Sequence, residues 1–317
     1  MSAAHASRSD FAACRRILAR GSKSFHFASR ALPERLVDPV SAFYAFCRES
    51  DDAIDESADP QRALVEVRAR VDAIFAGRPE ARPVDRAFAQ TARMNDLPRA
   101  PVDALVEGYL WDVENRRYET LSGVLGYSAR VAASVGVVMT WLMGRHERAV
   151  LARACDLGVA MQLTNIERDV GEDARRGRVY LPLGWLEEES IDIECFLRAP
   201  RYSAGLGRVT QRLLFEAETL YVRAELAVSA LPTDSRPAIR IAARLYREIG
   251  RIVRENGYDA VSTRASTTTA RKIQVALAAL VLPPSAMRLD EPPLPEVELL
   301  LPRARPTDET ERMTSAR

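Results

Sequence analysis

A run of polar and acidic residues at helical spacing lies near the middle of the chain, between Gln162 and Asp173. Asn165, Asp169 and Asp173 are four residues apart, so a continuous helix places them on one face, with Gln162 one turn earlier. Carboxylates this close repel each other, and the repulsion grows where water is scarce. The largely apolar residues 149–163 precede the run, so a cation must offset this repulsion. The sequence therefore predicts a helix face that binds metal ions and anions. Glu167, off this face, is expected to be an ordinary charge.

A second acidic run lies upstream, between Tyr44 and Asp55, and apolar residues again precede it. Helical spacing places Tyr44, Arg48 and Asp51 along one stripe, with Asp55 one turn further. One such run alone is more typical of a solvated helix face. Two runs in one helical chain, each with an arginine nearby, favour a magnesium site between facing helices. Mg²⁺ takes oxygen ligands and is usually held by one or two carboxylates together with substrate phosphates.

A metal bound to diphosphate also requires cations for the phosphate oxygens that the metal leaves uncovered. Arg48 and Arg168 lie inside the acidic runs, and a guanidinium group can bind phosphate through two parallel hydrogen bonds. Ser22 and Ser24 are equally typical of a helix start, where a hydroxyl caps the backbone. Each remaining cation, taken singly, is more typical of a solvated surface charge. These remaining candidates are Lys23, Arg264, Arg271 and Lys272.

Helices must carry both runs, because apolar residues recur mostly at helical spacing and strand-like alternation is nearly absent. The predicted fold class is therefore all-α. Residues 1–282 show no linker composition and are expected to form a single domain. Frequent prolines in residues 283–317 predict a disordered tail, in which residues 297–301 are a candidate docking segment. The predicted helices span residues 8–20, 36–56, 60–76, 83–95, 101–114, 120–142, 147–171, 203–230, 234–257 and 268–281.

Composition excludes several classes of function. A formal net charge of +1 gives no global field for nucleic acid binding, and three scattered histidines do not form a metal site. Four cysteines without a CxxC pair indicate core thiols in a reducing compartment. Residues 1–10 lack the apolar core of a signal peptide, and no uninterrupted apolar run approaches the length of a membrane span. We therefore expect a cytoplasmic protein.

Several longer motifs surround these residues and follow one another in a definite order. They are GSKSF at residues 21–25, YAFCR at 44–48 leading into DDAID at 51–55, and Tyr127 followed by VAASVG at 131–136. The longest is QLTNIERDVGED at 162–173, which continues into GRVYLP at 177–182. From about residue 21 to about residue 274 the chain thus resembles the squalene/phytoene synthase family of head-to-head prenyl transferases, most closely its bacterial phytoene synthases.

This resemblance implies a single-domain isoprenoid synthase fold, which is a class I terpene-synthase-like helical bundle with a central active-site cavity. It implies that Asp51 and Asp55 form a first metal-binding motif, and that Asn165, Asp169 and Asp173 form a second. The expected catalytic residues are Asp51, Asp55, Asp169, Asp173, Tyr44 and Gln162. The positions that match diphosphate-binding residues are Lys23, Ser24, Arg48, Arg168, Tyr246, Arg264 and Lys272.

Apolar residues of the central helices, including the stretch 131–142, are expected to line a substrate tunnel. Aromatic faces can stabilise positive charge along such a tunnel, although an aromatic residue is more often a packing residue of the core. The depth of the tunnel distinguishes C15 from C20 chains, and sequence periodicity does not measure depth. The expected tunnel residues are Phe25, Tyr127, Val131 and Val135.

The implied activity is Mg²⁺-dependent condensation of two geranylgeranyl diphosphates, through prephytoene diphosphate, to phytoene, the first committed step of carotenoid synthesis. Inorganic diphosphate is released, Mn²⁺ is a candidate substitute for Mg²⁺, and no NADPH is expected. The sequence shows no obvious catalytic base, and the released diphosphate is a candidate proton acceptor. Expected partners also include the inner face of the cell membrane and a phytoene desaturase that receives the product.

Other functions stay open at this point. The nearest is synthesis of dehydrosqualene or presqualene diphosphate from two farnesyl diphosphates. A non-catalytic paralogue that serves as a scaffold is disfavoured because both aspartate runs are intact. A class I terpene cyclase on the same fold is disfavoured by the sequence motif at residues 162–173.

Overall fold

The computed structural model describes residues 5–281 and 288–303, and within these ranges it contains helices and no β-strand. The predicted all-α fold class is confirmed. A π-helical segment, Ala129–Ala133, joins α7 to α8 in one continuous helix. In chain order the helices are α1 (Arg8–Gly21), α2 (Lys23–Ser29), α3 (Glu34–Asp55), α4 (Pro60–Phe75), α5 (Pro83–Met94), α6 (Ala100–Val113), α7 (Leu121–Ser128), α8 (Ser134–Leu142), α9 (Arg148–Arg175), α10 (Leu183–Glu188), α11 (Ile193–Arg198), α12 (Ala204–Glu225), α13 (Arg236–Glu255) and α14 (Thr269–Val281).

The long helices occupy the stretches that the periodicity predicts, with small shifts at their ends. Three short helices were not predicted, namely α2, α10 and α11. Each is six or seven residues long. A helix of this length completes no more than about two turns, which is too short for an apolar repeat to be recognised.

Two buried clusters of side chains hold the bundle together. One lies around α3, where Phe43, Phe46 and Phe88 are fully buried and pack ring against ring. The other lies around α9, which packs against α12, α13, α8 and the π-helical segment. Burying one phenylalanine side chain stabilises a fold by about 1.5–3 kcal/mol, so these contacts fix the rotation of α3 and α9 about their axes. The polar faces of both helices are thereby held next to one cavity.

Close backbone contacts hold the wall formed by α8 and the π-helical segment against α9. A Cβ atom at Gly158 would lie 2.6 Å from the carbonyl oxygen of Ala132, and one at Gly136 would lie 2.6 Å from that of Ala154. Only glycine allows two helices to approach this closely. The two glycines therefore bring the wall that carries Val131 and Val135 into contact with the helix that carries the second acidic run.

The continuous helix Leu121–Leu142 is long and apolar enough to span a membrane by length and composition. This finding differs from the expectation that no apolar run approaches such a length, because single polar residues interrupt the sequence without interrupting the helix. In the structure this helix packs against α6 and α9. Its apolar side chains Val137 and Val138 are buried, and we therefore interpret it as a central core helix.

Residues 288–303, which we call the C-terminal strap, pack along the bundle. Val297 and Leu300 are buried in the core cluster around α9, and residues Pro295–Leu300 form a 3-10 turn. Arg148 of α9 donates to the carbonyl oxygen of Pro302 at 2.6 Å. Residues 297–301, the candidate docking segment, do contact the core. The other described residues of the strap also pack against the bundle, although a disordered tail was expected, because prolines prevent a helix but leave apolar side chains free to dock. Residues 282–287 and 304–317 lie outside the described residues, and the domain boundary at 282 stays a prediction.

Candidate active site

A cavity of about 960 Å³ lies between α2, α3, α6, α8, α9 and α13. Charged side chains from both acidic runs gather at one end, whereas most of the remaining wall is apolar. Asp55, Asp169 and Asp173 are outside this lining and lie one or two turns further along α3 and α9. The predicted site residues that line the cavity are Ser24, Phe25, Tyr44, Arg48, Asp51, Tyr127, Val131, Val135, Gln162, Asn165, Arg168, Tyr246, Arg264 and Lys272.

Asp169 lies at the centre of the polar face of α9. The Nε atoms of Arg168 and Arg264 each donate to Asp169 Oδ1 at 2.8 Å. Burial alone would raise the pKa of Asp169, but the hydrogen bonds from the two arginines outweigh burial and lower it. The loop that carries Arg264 is fixed to α9, since the backbone N–H of Gly171 donates to the carbonyl oxygen of Ala260 at 3.1 Å. Arg168 and Arg264, two predicted diphosphate ligands, thus offset the negative charge of Asp169, a predicted metal ligand.

An arginine without a predicted role connects the two acidic runs. Arg178 donates to Asp55 on α3 at 2.8 Å, and its charge also acts on Asp173 of α9. Arg176 lies 3.9 Å from Asp55 as well. Both arginines follow the end of α9, where Gly177 adopts a φ of 76° that favours glycine. The sequence places Arg178 inside a family motif, and only the structure shows that it bridges α3 and α9.

Two aspartates at this end have raised pKa values. Burial raises the pKa of Asp51 to about 6, and the nearby charge of Asp55 adds to the effect. Burial likewise raises the pKa of Asp173 to about 7, with a further contribution from Asp169. Negative charge is therefore crowded where water is limited, and a cation at this end stabilises the ionised forms.

The donor atoms at this end fit a hard divalent cation. Carboxylate and amide oxygens are the ligands that Mg²⁺ prefers. Among residues 5–281 and 288–303, no three acidic side chains converge closely enough to hold a metal by themselves. Arginines engage Asp55 and Asp169 instead. The arrangement therefore fits metal ions held by one or two carboxylates from each helix, with substrate phosphates completing the coordination.

The other predicted diphosphate ligands lie around the same end. Arg48 donates to Asp52 at 2.9 Å, whereas Lys272 is buried in the cavity wall. Arg271, the neighbouring candidate, donates to Glu248 at 2.6 Å and does not line the cavity. Lys23 begins α2, and its side chain lies outside the described part of the structure.

Aromatic rings form the wall next to the charged end. The ring of Phe25 lies 6.1 Å from that of Tyr44 and 5.4 Å from that of Tyr246, measured between centroids. Burial raises the pKa of Tyr246 to about 12, so its hydroxyl stays protonated. Asn165 donates to Gln162 at 3.4 Å, which places both amide groups of α9 on this wall.

A half-buried carboxylate on α6 was not identified from the sequence. Asp112 accepts hydrogen bonds from the hydroxyls of Tyr127 at 3.0 Å and Tyr180 at 2.7 Å. The two rings are stacked, with centroids 5.0 Å apart. Burial raises the pKa of Asp112 in spite of these bonds. No acidic residue lies three or four positions from Asp112 in the sequence, and its partners come from α7 and from the loop after α9.

Glu167 differs from its prediction. It is fully buried, and neither carboxylate oxygen has a hydrogen-bond partner among the described residues. Burial raises its pKa well above the usual value, so the side chain is neutral. The prediction of an ordinary charge is wrong because the face of α9 opposite the cavity packs against α12 and α13.

Comparisons with known proteins place these features in context. The family model described as squalene/phytoene synthase matches residues 18–272. The chain is 47% identical over 316 residues to the phytoene synthase of Cereibacter sphaeroides, covering 94% of this chain and 89% of that protein. It is 38% identical to the 15-cis-phytoene synthase of Pantoea ananas, covering 83% of this chain and 88% of that protein.

Solved structures show the same fold, which confirms the predicted terpene-synthase-like helical bundle. A dehydrosqualene synthase in complex with ligand superposes with a TM-score of 0.80 at 32% identity, covering 86% of this chain and 96% of that chain. A squalene synthase from Alicyclobacillus acidocaldarius superposes with a TM-score of 0.73 at 26% identity, covering 79% of this chain and 95% of that chain.

Proposed function

Because this chain belongs to the squalene/phytoene synthase family, we propose that it is a phytoene synthase that condenses two geranylgeranyl diphosphates head to head. The observation that carries the proposal is the cavity, which joins two aspartate runs and several arginines at one end to a long apolar wall. This shape matches a substrate with a diphosphate head and a hydrocarbon chain. The relatives that are at least 38% identical favour phytoene over squalene-type products.

The charged end binds and neutralises the leaving diphosphate. Mg²⁺, held by Asp51 and Asp55 of α3 and by Asn165, Asp169 and Asp173 of α9, would supply positive charge that stabilises the leaving group. Arg168 and Arg264, which share Asp169, line the same end of the cavity, where their remaining N–H groups can donate to phosphate oxygens. Ionisation of the allylic diphosphate then occurs at modest cost, because the donors are already in place.

The apolar wall controls the carbocations. It excludes water, which would otherwise capture an allylic cation, and it holds the two prenyl chains side by side. The faces of Phe25 and Tyr44, close to the charged end, stabilise positive charge through their negative quadrupoles. The double bond of the second molecule attacks the cation, and loss of one proton from the resulting tertiary cation closes the ring of the cyclopropylcarbinyl diphosphate. A second ionisation, rearrangement of the cyclopropylcarbinyl cation and loss of a second proton give the product, and we propose that released diphosphate accepts the proton in each half-reaction.

Product mass tests this function. Purified protein is incubated with Mg²⁺ and either geranylgeranyl or farnesyl diphosphate, and the masses of the extracted lipids are measured by mass spectrometry. We expect a C40 hydrocarbon from the C20 substrate, no dependence on NADPH, and weaker support by Mn²⁺. Formation of a C30 product alone would contradict the proposal and favour a dehydrosqualene or presqualene diphosphate synthase. A monocyclic or polycyclic product from one substrate molecule would favour a terpene cyclase.

The apolar product also implies a place of action. We propose that the protein works in the cytoplasm at the inner face of the cell membrane and passes phytoene to a desaturase there. Support comes from α14, where Ile273, Leu277, Leu280 and Val281 are exposed apolar side chains. Flotation with phospholipid vesicles tests the membrane part. Leu277→Asp is expected to weaken flotation, and unchanged flotation of this variant would contradict α14 as the contact.

A further inference from the structure

One charged residue lines the cavity far from the diphosphate-binding end. Arg153 of α9 is part of the lining, and it lies fifteen residues before Arg168 on the same helix. At the rise of an α-helix this separation is roughly 22 Å along the axis. The neighbouring lining residues Ala154, Ala227 and Val228 are small or apolar. Arg153 therefore marks the opposite end of the cavity.

A buried ion network holds Arg153 in this position. Its side chain is 2% exposed, and its Nε lies 2.9 Å from Asp156, which is fully buried. Arg223 of α12 lies 3.0 Å from Asp156 and 3.4 Å from Glu291. Glu291 of the C-terminal strap also lies 3.9 Å from Arg153. Two arginines and two carboxylates thus offset each other's charge, while Arg153 Nε and Asp156 Oδ1 have no hydrogen-bond partner among the described residues.

The C-terminal strap covers this end from outside. The carbonyl oxygen of Pro292 accepts hydrogen bonds from Arg153 at 3.3 Å and from Arg223 at 2.8 Å. The backbone N–H of Arg288 donates to the carbonyl oxygen of Leu226 at 3.2 Å. Leu289 packs against the core cluster that contains Leu231, a residue of the cavity wall. The strap therefore backs the same wall that Arg153 completes.

We propose that Arg153, held by the strap, is the end wall of the prenyl cavity and sets the longest chain that the protein accepts. This inference rests on the proposed function, since it concerns the hydrocarbon part of the same substrate. A longer chain could advance only by displacing a guanidinium group from buried carboxylates and from a backbone carbonyl. Displacement of that kind leaves charges unpaired in a dry environment, which is strongly unfavourable.

A matched pair of arginines on α9 tests the end wall. Arg148 also pairs with a strap glutamate, Glu298, and donates to the carbonyl oxygen of Pro302, but it does not line the cavity. Arg153→Ala and Arg148→Ala are compared by the ratio of kcat/KM for geranylfarnesyl (C25) diphosphate to that for geranylgeranyl diphosphate. We expect Arg153→Ala to raise this ratio by about tenfold and Arg148→Ala to change it by less than about twofold.

A second variant keeps the proposal testable if Arg153→Ala does not fold, which thermal melting shows. Ala227→Leu adds bulk at the same end, and it is expected to raise the preference for farnesyl over geranylgeranyl diphosphate by about tenfold. Any one of three results would overturn the end wall. They are an unchanged chain-length ratio in a folded Arg153→Ala protein, an equal shift of that ratio in Arg148→Ala, and an Ala227→Leu protein whose chain-length preference is unchanged. If the unaltered protein turns over only the C15 substrate, the proposed function fails. Arg153 is then tested by the effect of Arg153→Ala on the ratio of kcat/KM for geranylgeranyl diphosphate to that for farnesyl diphosphate.

Discussion

Helix α9 carries two networks of arginines and carboxylates, one at each end of the cavity. At the diphosphate-binding end, Arg168 and Arg264 share Asp169, and the side chain of Arg264 is 57% exposed. At the opposite end, the side chains of Arg153 and Asp156 are 2% and 0% exposed, and the C-terminal strap covers them. Each network contains one arginine–aspartate pair on α9, and the pair at the diphosphate-binding end is 20% and 16% exposed, so exposure distinguishes the two pairs.

Exposure decides whether an ion pair can exchange partners. A pair in contact with water contributes up to about 1 kcal/mol, so a metal ion or a phosphate group can replace either member. A buried pair leaves an uncompensated charge if one member departs, at a cost of about 3–5 kcal/mol. The exposed network is therefore suited to binding and release, whereas the buried one is suited to holding a wall in place. The following substitutions test this contrast, from the largest expected effect to the smallest.

Asp169→Asn tests the exchangeable network. Loss of the carboxylate removes a metal ligand, so we expect turnover to fall at least about a thousandfold, or about 4 kcal/mol in the activation free energy. The melting temperature should change little, because Asn keeps the shape of the side chain. Product formation and thermal melting measure the two effects. Asp51→Asn should show the same loss of turnover. Glu66→Gln, on the exposed face of α4, is the control. Normal turnover in Asp169→Asn would refute the metal assignment.

Asp156→Asn is the matched change in the buried network. It leaves Arg153 and Arg223 with Glu291 alone, and we expect the free energy of unfolding to fall by about 3 kcal/mol. Urea denaturation measures this loss, and turnover per folded molecule should fall far less than in Asp169→Asn. A stability loss as small as that of Asp169→Asn would remove the distinction between the two networks.

The half-buried carboxylate of Asp112, which lines the same cavity, extends the comparison. Tyr127→Phe removes one of its hydrogen bonds, and bonds to charged groups contribute about 1.5–3 kcal/mol, so we expect stability to fall by about 2 kcal/mol. Tyr118→Phe is the control, because the Tyr118 ring belongs to the same stack while its hydroxyl has no hydrogen-bond partner among the described residues. Equal unfolding free energies in the two variants would contradict a role for the Asp112 contact.

Arg264→Ala tests the most exposed member of the diphosphate-binding network. A phosphate ligand that acts from the surface contributes mainly to substrate binding, so we expect KM to rise by about tenfold, with a smaller change in kcat. The free energy of unfolding should fall by less than about 1 kcal/mol, since the pair with Asp169 is partly solvated. Steady-state kinetics and urea denaturation measure these changes. A loss of stability comparable to that of Asp156→Asn would show that this pair is structural.

Much of the fold could be predicted, because long amphipathic helices repeat their apolar residues often enough to be recognised. The helix that ends in Asp55 and the helix that contains Asp169 were both predicted with nearly correct ends. The candidate site was predicted where acidic residues recur at helical spacing, as in Asn165 and Asp173. Side chains that meet only through folding, such as Arg178 with Asp55, leave no such spacing in the sequence.

The sequence by itself therefore determined the all-helical class, the two acidic faces and the family. Each of these depends on residues that are close along the chain, and local spacing records them directly. Only the tertiary structure decided that Glu167 is buried, that residues 288–296 dock together with the predicted segment 297–301, and that Arg153 closes the far end of the cavity. Burial and pairing depend on which helices pack together, so identical arginines and aspartates on one helix become an exchangeable network at one end and a fixed wall at the other.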